Sequence, residues 1–394
     1  MRPKKISLRV FAGALLLSAL IAPALSWPGD SRAVRAQTPA SSPQPAPARD
    51  ERLWKRALAV HRKAIIVDGH NDITEIMVDE GYDLATPSAG KYHTDLARLK
   101  QSGLTGNFFS IYVDRKYASA DFAAKSYVTQ GGSARRAIDL IDAVYRAVEK
   151  YPQDLVLATS TADIRRAKKG KKIGALMGIE GGHAIENSLS LLREFYRLGV
   201  RYMTLTHNNT NEWADACCDA ARHNGLSDFG REVVGEMNRL GMFVDISHVS
   251  DKTMSDVLDT TKAPVIASHS SARVFSNHKR NIPDDLLKRI AQNGGVVMIN
   301  FYPVFLDEKV RTAGLARDER LKAQRDALAE QFKDDPKRLD EERKKLNDAN
   351  PIPNTTLSMV VDHIDHIAKV AGLTTSASAP TSTACPICPK ASRM

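Results

Sequence analysis

Val67-Asp68-Gly69-His70-Asn71-Asp72 begins as an apolar run and breaks at a glycine into His-x-Asp, as a buried parallel strand does where it leaves its sheet for a loop. His70 and Asp72 are two apart, so on a strand both side chains project to one face. Working outward, three more stretches repeat the design: Gly178-Ile179-Glu180-Gly181-Gly182-His183, Val244-Asp245-Ile246-Ser247-His248 and Val265-Ile266-Ala267-Ser268-His269. Each has strand length and ends in a residue that ligates zinc. Imidazole and carboxylate without thiolate suit hydrolytic zinc better than a structural zinc knuckle. His70, Asp72, Glu180, His248 and His269 are therefore the candidate metal ligands of a two-metal site.

Between and beyond these stretches, strands and helices alternate. Strands are expected at 65–67, 104–113, 173–179, 202–206, 242–246, 265–267 and 296–301. Helices are expected at 51–63, 94–102, 133–150, 189–198, 229–240, 252–258, 284–292 and 356–371. Such alternation implies parallel strands joined by helical crossovers. The fold class is α/β, a (β/α)8 TIM-barrel-like metallohydrolase, because that barrel gathers its active site at the C-terminal strand ends, where every candidate ligand sits. A doubly wound open sheet fits less well, since no glycine-rich phosphate loop follows the first strand. Residues 306–350 are dense in Asp, Glu, Lys and Arg and read as a solvated helical hairpin turning at Asp334-Asp335-Pro336. Asp362, His363, Asp365 and His366 fall on the helix after it, in the outer ring and away from the barrel mouth.

The chain has 394 residues, 43% hydrophobic and 26% charged, the composition of a globular protein long enough for one large barrel. Its net charge of +10 is partly the work of Arg2, Lys4, Lys5 and Arg9, and no basic stripe interleaved with aromatics follows, so nucleic acid is not an expected partner. Residues 1–36 read as an export signal, with a positive start, an apolar stretch from Val10 to Leu25 and small residues before Ser26 and Ala36. That apolar stretch is short for a membrane span. Residues 37–50, rich in Pro, Ala and Ser, form a flexible linker to a barrel domain at 51–372, and the mature protein is placed in the periplasm or outside the cell. Cys217 and Cys218 are neighbours, which seldom bridge each other, and Cys385-Pro386-Ile387-Cys388 lacks a second pair at zinc spacing.

Two further residues belong with the site. His207, in Thr204-Leu205-Thr206-His207-Asn208-Asn209, closes another strand and is one imidazole more than the ligands require, so it is assigned to substrate or transition state. Arg280, eleven positions after His269, is placed to clamp a carboxylate with its planar fork. Asp68, His183 and His278 are weaker candidates, outside the ligand set.

Taken in order, Asp68-Gly69-His70-Asn71-Asp72, Gly178–His183, Arg201–Asn208, Ser247-His248-Val249-Ser250 and Ser268-His269-Ser270-Ser271-Ala272 resemble the motifs of the membrane (renal) dipeptidases, over about 65–372. The resemblance implies a two-zinc barrel peptidase, with His70 and Asp72 on one zinc, His248 and His269 on the other, and Glu180 bridging. His207 and Arg280 would contact a dipeptide, Arg280 at its carboxylate, and a homodimer stays open. Relatives of this family also carry an Asp-x-Asp-Gly strand end after the Asp-His-Ile-Asp-His helix, whose Asp meets the substrate amine. Here residues 373–394 are low-complexity instead. Shifting the reading frame at Leu373 permits Asp-His-Ile-Gly-Ile-Gly-Ser-Asp-Phe-Asp-Gly-Val-Pro-Asp-Leu-Pro-Lys, the missing motif in its proper place. The expectation is a frameshifted chain, without its eighth strand and impaired in turnover. Two other readings stay open: an inactive metal-binding remnant, and another binuclear amidohydrolase acting on amide or lactam bonds. Asp72 where that class carries His-x-His counts against the latter.

Overall fold

The computed structural model describes residues 49–88, 90–118 and 132–372. The expected leader, nearly all of the linker, and the 373–394 tail with its proposed frame change lie outside the described residues. The chain divides into two compact units, Met1–Trp54 and Lys55–Met394. Of the first, the described part is 49–54, where the helix Glu51–Lys63 starts.

The sheet of the second unit is parallel throughout. The strands are β1 (Val67–Asn71), β2 (Gly106–Tyr112), β3 (Leu155–Leu157), β4 (Ile173–Glu180), β5 (Val200–Thr204), β6 (Phe243–Asp245), β7 (Ile266–Ala267) and β8 (Val296–Val297). They pair in the order β1-β2-β4-β5-β6-β7-β8, and the short β3 pairs with the start of β4. Seven of the eight match the expected strands. The eighth, β3, was not foreseen, because Leu155-Val156-Leu157 is too short to show a period. Nor was the helix Thr161–Lys169 that follows it. The expected strand at 296–301 shrinks to two residues, since β7 offers only Ile266 and Ala267 as partners.

The pleat sorts side chains into two layers. Phe108, Leu176, Tyr202 and Ile266 turn inward with Val67 and Met298, forming the small interior cluster. Their neighbours Phe109, Met177, Met203 and Ala267 turn outward, under helix residues such as Leu140, Leu192, Phe195, Val233 and Ile290. Serines start several of these helices: Ser188, Ser227 and Ser250 each accept a hydrogen bond from the backbone N–H three residues on.

Among the described residues the sheet is curled into a barrel with one strand position open between β1 and β8. Tyr202 on β5 reaches across to β1, donating to the Gly69 carbonyl at 2.9 Å. A side chain at Gly69 would stand 2.6 Å from the Ser268 carbonyl oxygen, so β1 lies close against the end of β7. Gly178 is required for a similar reason: a Cβ there would lie 2.1 Å from the Tyr202 ring. Among the described residues no strand pairs with the outer edge of β1 or of β8.

The charged insertion forms three helices where a two-helix hairpin was expected: Glu308–Arg320, Lys322–Gln331 and Pro336–Asp348. The expected turn at 334–336 is present, and an additional break falls at Leu321, which is buried. The last helix, Leu357–Val370, is pinned by His363, whose Nδ1 accepts from the Ala272 N–H at 3.0 Å and whose Nε2 donates to the Leu306 carbonyl at 2.9 Å. His366 pairs with Asp284. Both histidines of this helix are thus occupied in structural bonds.

Candidate metal centre

Glu180 stands at the C-terminal end of β4, 4% exposed, and imidazoles from three other strand ends converge on it. His70 Nε2 is 3.2 Å from one of its oxygens, and His248 and His269 Nε2 are 2.9 and 3.3 Å from the other. His70 Nε2 also lies 3.0 Å from Asp72, whose carboxylate is 66% exposed at the rim. His248 is held at φ 67°, an uncommon conformation for a residue with a side chain, at the point where β6 turns into its loop.

Behind each imidazole a second group holds the other nitrogen. His70 Nδ1 meets the Tyr202 hydroxyl at 2.9 Å; because that hydroxyl donates to Gly69, it accepts from His70. His248 Nδ1 donates to the Asn208 side-chain oxygen at 3.0 Å. His269 Nδ1 donates to Ser268 Oγ at 2.7 Å, and Ser268 in turn donates to buried Asp245 at 2.6 Å. Such partners fix the tautomer and ring plane of metal-binding histidines. Here they turn all three Nε2 atoms toward Glu180.

Burial holds His248 and His269 at about 3, well below the usual imidazole range, with the His70 charge adding to the effect at His269 and the Arg280 charge at both, so both are neutral. Their Nε2 atoms stand 2.8 Å apart. Two imidazole lone pairs at that distance repel unless a cation lies beside them, and this donor set of three imidazoles and a carboxylate fits a divalent ion. His70 behaves differently. Burial opposes its charge, but Tyr202, Glu180 and Asp72 outweigh burial and raise its pKa. Its proton then sits between two carboxylates, where a cation also could. Glu180 is driven far below the ordinary carboxylate value; burial opposes this, and the charge of His70 is the largest effect that overcomes it.

His207 packs between His248 and Tyr112, with ring centroids 4.5 and 4.7 Å away. Its ligand atom lies within 4.8 Å of those of Glu180 and His248, and His70, Glu180 and His269 form a second such group. Arg280 is buried, donates to the His269 carbonyl at 2.9 Å and to Ser270 Oγ at 3.3 Å, and keeps its Nε without a partner. All seven sequence-derived candidates thus surround one mouth. The weaker ones lie at its margin: Asp68 accepts from the His70 N–H, His278 Nδ1 accepts from the Arg280 N–H, and His183 is buried and neutral at about 4, chiefly through burial. Sequence reasoning missed Tyr202, Asn208, Ser268 and Asp245 as supports, although all four lie within the quoted stretches.

The family model of the membrane dipeptidases, Peptidase family M19, matches residues 54–377. An uncharacterized dipeptidase of Schizosaccharomyces pombe is 37% identical over 315 residues, 78% of this chain; the chain spans 66% of that relative's length. In fold, the chain is similar to the probable dipeptidase PvdM from Pseudomonas aeruginosa (TM-score 0.68, 21% identity, 82% of this chain and 85% of that one). It is also similar to a metallopeptidase from Rhodobacter sphaeroides bound to a phosphinate mimic of the dipeptide L-Ala-D-Ala (TM-score 0.59, 22% identity, 78% and 83%). By its match over most of its length, and with the residue types of the matching motifs gathered at one barrel mouth, this chain belongs to the membrane dipeptidase family, Peptidase family M19.

Proposed function

We propose that the chain is an exported zinc dipeptidase with two zinc ions, one held by His70 and Asp72, the other by His248 and His269, and Glu180 shared between them. The observation that carries this reading is the Glu180 carboxylate with three imidazole Nε2 atoms within 3.3 Å. When bound, a zinc pair supplies a water of lowered pKa and polarises the scissile carbonyl. Arg280 receives the substrate carboxylate: its buried charge and unpartnered Nε leave donor capacity for a ligand. Neutral His207, its pKa lowered by burial, can donate a hydrogen bond to the oxygen that gains charge as the tetrahedral state forms. Asn208 and the Ser268–Asp245 pair hold the two neutral imidazoles in register. Export rests on the residue pattern of 1–36; among the described residues no helix is long and apolar enough to cross a membrane.

A second reading is a metal-binding remnant with little turnover; it is favoured by the absence, among the described residues, of a strand between β1 and β8. Zinc content and hydrolysis of L,L- and L,D-dipeptides, measured on the full chain and on Glu180→Gln, decide between them. The dipeptidase reading expects about two zinc ions per chain and turnover, with both lost in the variant. Zinc without turnover establishes the remnant, and no zinc in the parent chain sinks both.

A further inference from the structure

Cys217 and Cys218 occupy a turn whose two ends are tied down. On one side Ala216 bridges Val249, and the Cys217 N–H donates to the His248 carbonyl at 2.8 Å. On the other, the Asp219 carboxylate accepts from the Thr210 N–H at 3.0 Å. The turn is therefore bonded to the loop that carries His248. Cys217 is buried, whereas Cys218 is open to solvent. Both are free thiols, and their Sγ atoms face each other in direct contact without a bond between them.

Consecutive Cα atoms are only about 3.8 Å apart. Relaxed disulfides span roughly 4.4–6.8 Å between Cα atoms. A ring closed between neighbours is consequently strained, and strained disulfides are the readily reduced ones. Cys218, the accessible thiol, is the one a reagent meets first, and Cys217 already lies in position to displace it.

We propose that Cys217 and Cys218 form a reversible redox modification site, closed to a vicinal disulfide by exchange with small-molecule disulfides, beside the loop that carries His248. The Cys218 sulfur, as thiolate, attacks the small disulfide, breaking its S–S bond and releasing one thiol. The Cys217 sulfur then attacks Cys218, expelling the second thiol and forming the Cys217–Cys218 bond. The two cysteine protons leave on the two released thiols, and two electrons pass from the pair to the reagent, which is the oxidant. The thiol chemistry stands without the dipeptidase reading.

The test uses the full chain, oxidised glutathione and tryptic mapping. Cleavage after Arg201 and Arg222 releases one peptide with both cysteines, while Cys385 and Cys388 fall in another. In the folded protein the 202–222 peptide is expected two hydrogens lighter and inert to iodoacetamide until reduced. The ratio of ring to glutathione adduct should exceed that of the urea-unfolded chain by about tenfold or more, because the fold pre-aligns the sulfurs. Cys217→Ser should yield only the adduct at Cys218. A folded protein that stops at the adduct, that does not react, or that shows the same ratio in urea overturns the proposal. Hydrolysis is not measured, so the result is independent of peptidase activity.

Discussion

Tyr202→Phe removes one oxygen atom and tests whether the bonds behind the imidazoles matter. The Tyr202 hydroxyl is fully buried, accepts from His70 Nδ1 and donates to the Gly69 carbonyl, each at 2.9 Å. Phenylalanine keeps the ring that lies over Gly178, so packing is preserved while two buried polar groups lose their partner. An unsatisfied buried donor or acceptor costs about 1–3 kcal/mol. Part of that is recovered if His70 rotates, but rotation moves Nε2 away from Glu180. Loss of such a supporting bond typically lowers metal affinity roughly 10- to 100-fold. The assay is zinc affinity by chelator competition, beside thermal unfolding of the metal-free protein. Both should fall, the midpoint by a few degrees. A lower midpoint with zinc affinity within twofold of the parent refutes the reasoning, since the hydroxyl would then serve the barrel alone.

Gly178→Ala places a methyl 2.1 Å from a ring carbon of that same tyrosine, and overpacking of this kind costs about 1–3 kcal/mol or more, so soluble yield and thermal midpoint should drop. His363→Leu orphans the Ala272 N–H and the Leu306 carbonyl; unfolding in urea should show a loss of about 1–3 kcal/mol with zinc stoichiometry unchanged, because His363 takes no part in the metal centre. Glu236 is held at about 2, chiefly by its Arg239 hydrogen bond against opposing burial, with Arg193 assisting. A depressed carboxylate adds stability that is complete above its unfolded pKa of about 4.3 and is lost as pH falls toward 2. The gap in unfolding midpoint between the parent and Glu236→Gln should accordingly stay constant above pH 5 and close below pH 4, when followed by circular dichroism.

The candidate ligands were legible because a buried parallel strand is an uninterrupted apolar run, and the polar residues that end it stand out: Glu180 after Met177-Gly178-Ile179, Ser268-His269 after Val265-Ile266-Ala267. Their supports were not. Tyr202 has the appearance of an ordinary strand aromatic, and only barrel closure carries its hydroxyl from β5 across to β1. Asp245 resembles one more strand-end carboxylate, yet it is spent on Ser247, Ser268 and Thr204. Local pattern shows which face a residue occupies, whereas these bonds depend on which strands become neighbours across the interior. The break at Leu321 escaped for a related reason: every residue around it favours helix, and tertiary burial of Leu321 ends the turn.

The contrast among the three imidazoles sets a proton inventory for metal uptake. His248 and His269, neutral down to about pH 3, have nothing to surrender when an ion arrives. His70, with its raised pKa, holds a proton that an incoming ion must displace. Loading thus releases one proton from the imidazoles, and below the His70 pKa apparent affinity falls about tenfold for each unit of acidification. A metal held as proposed would be lost in acid chiefly through His70, while His248 and His269 stay neutral and ready to bind again.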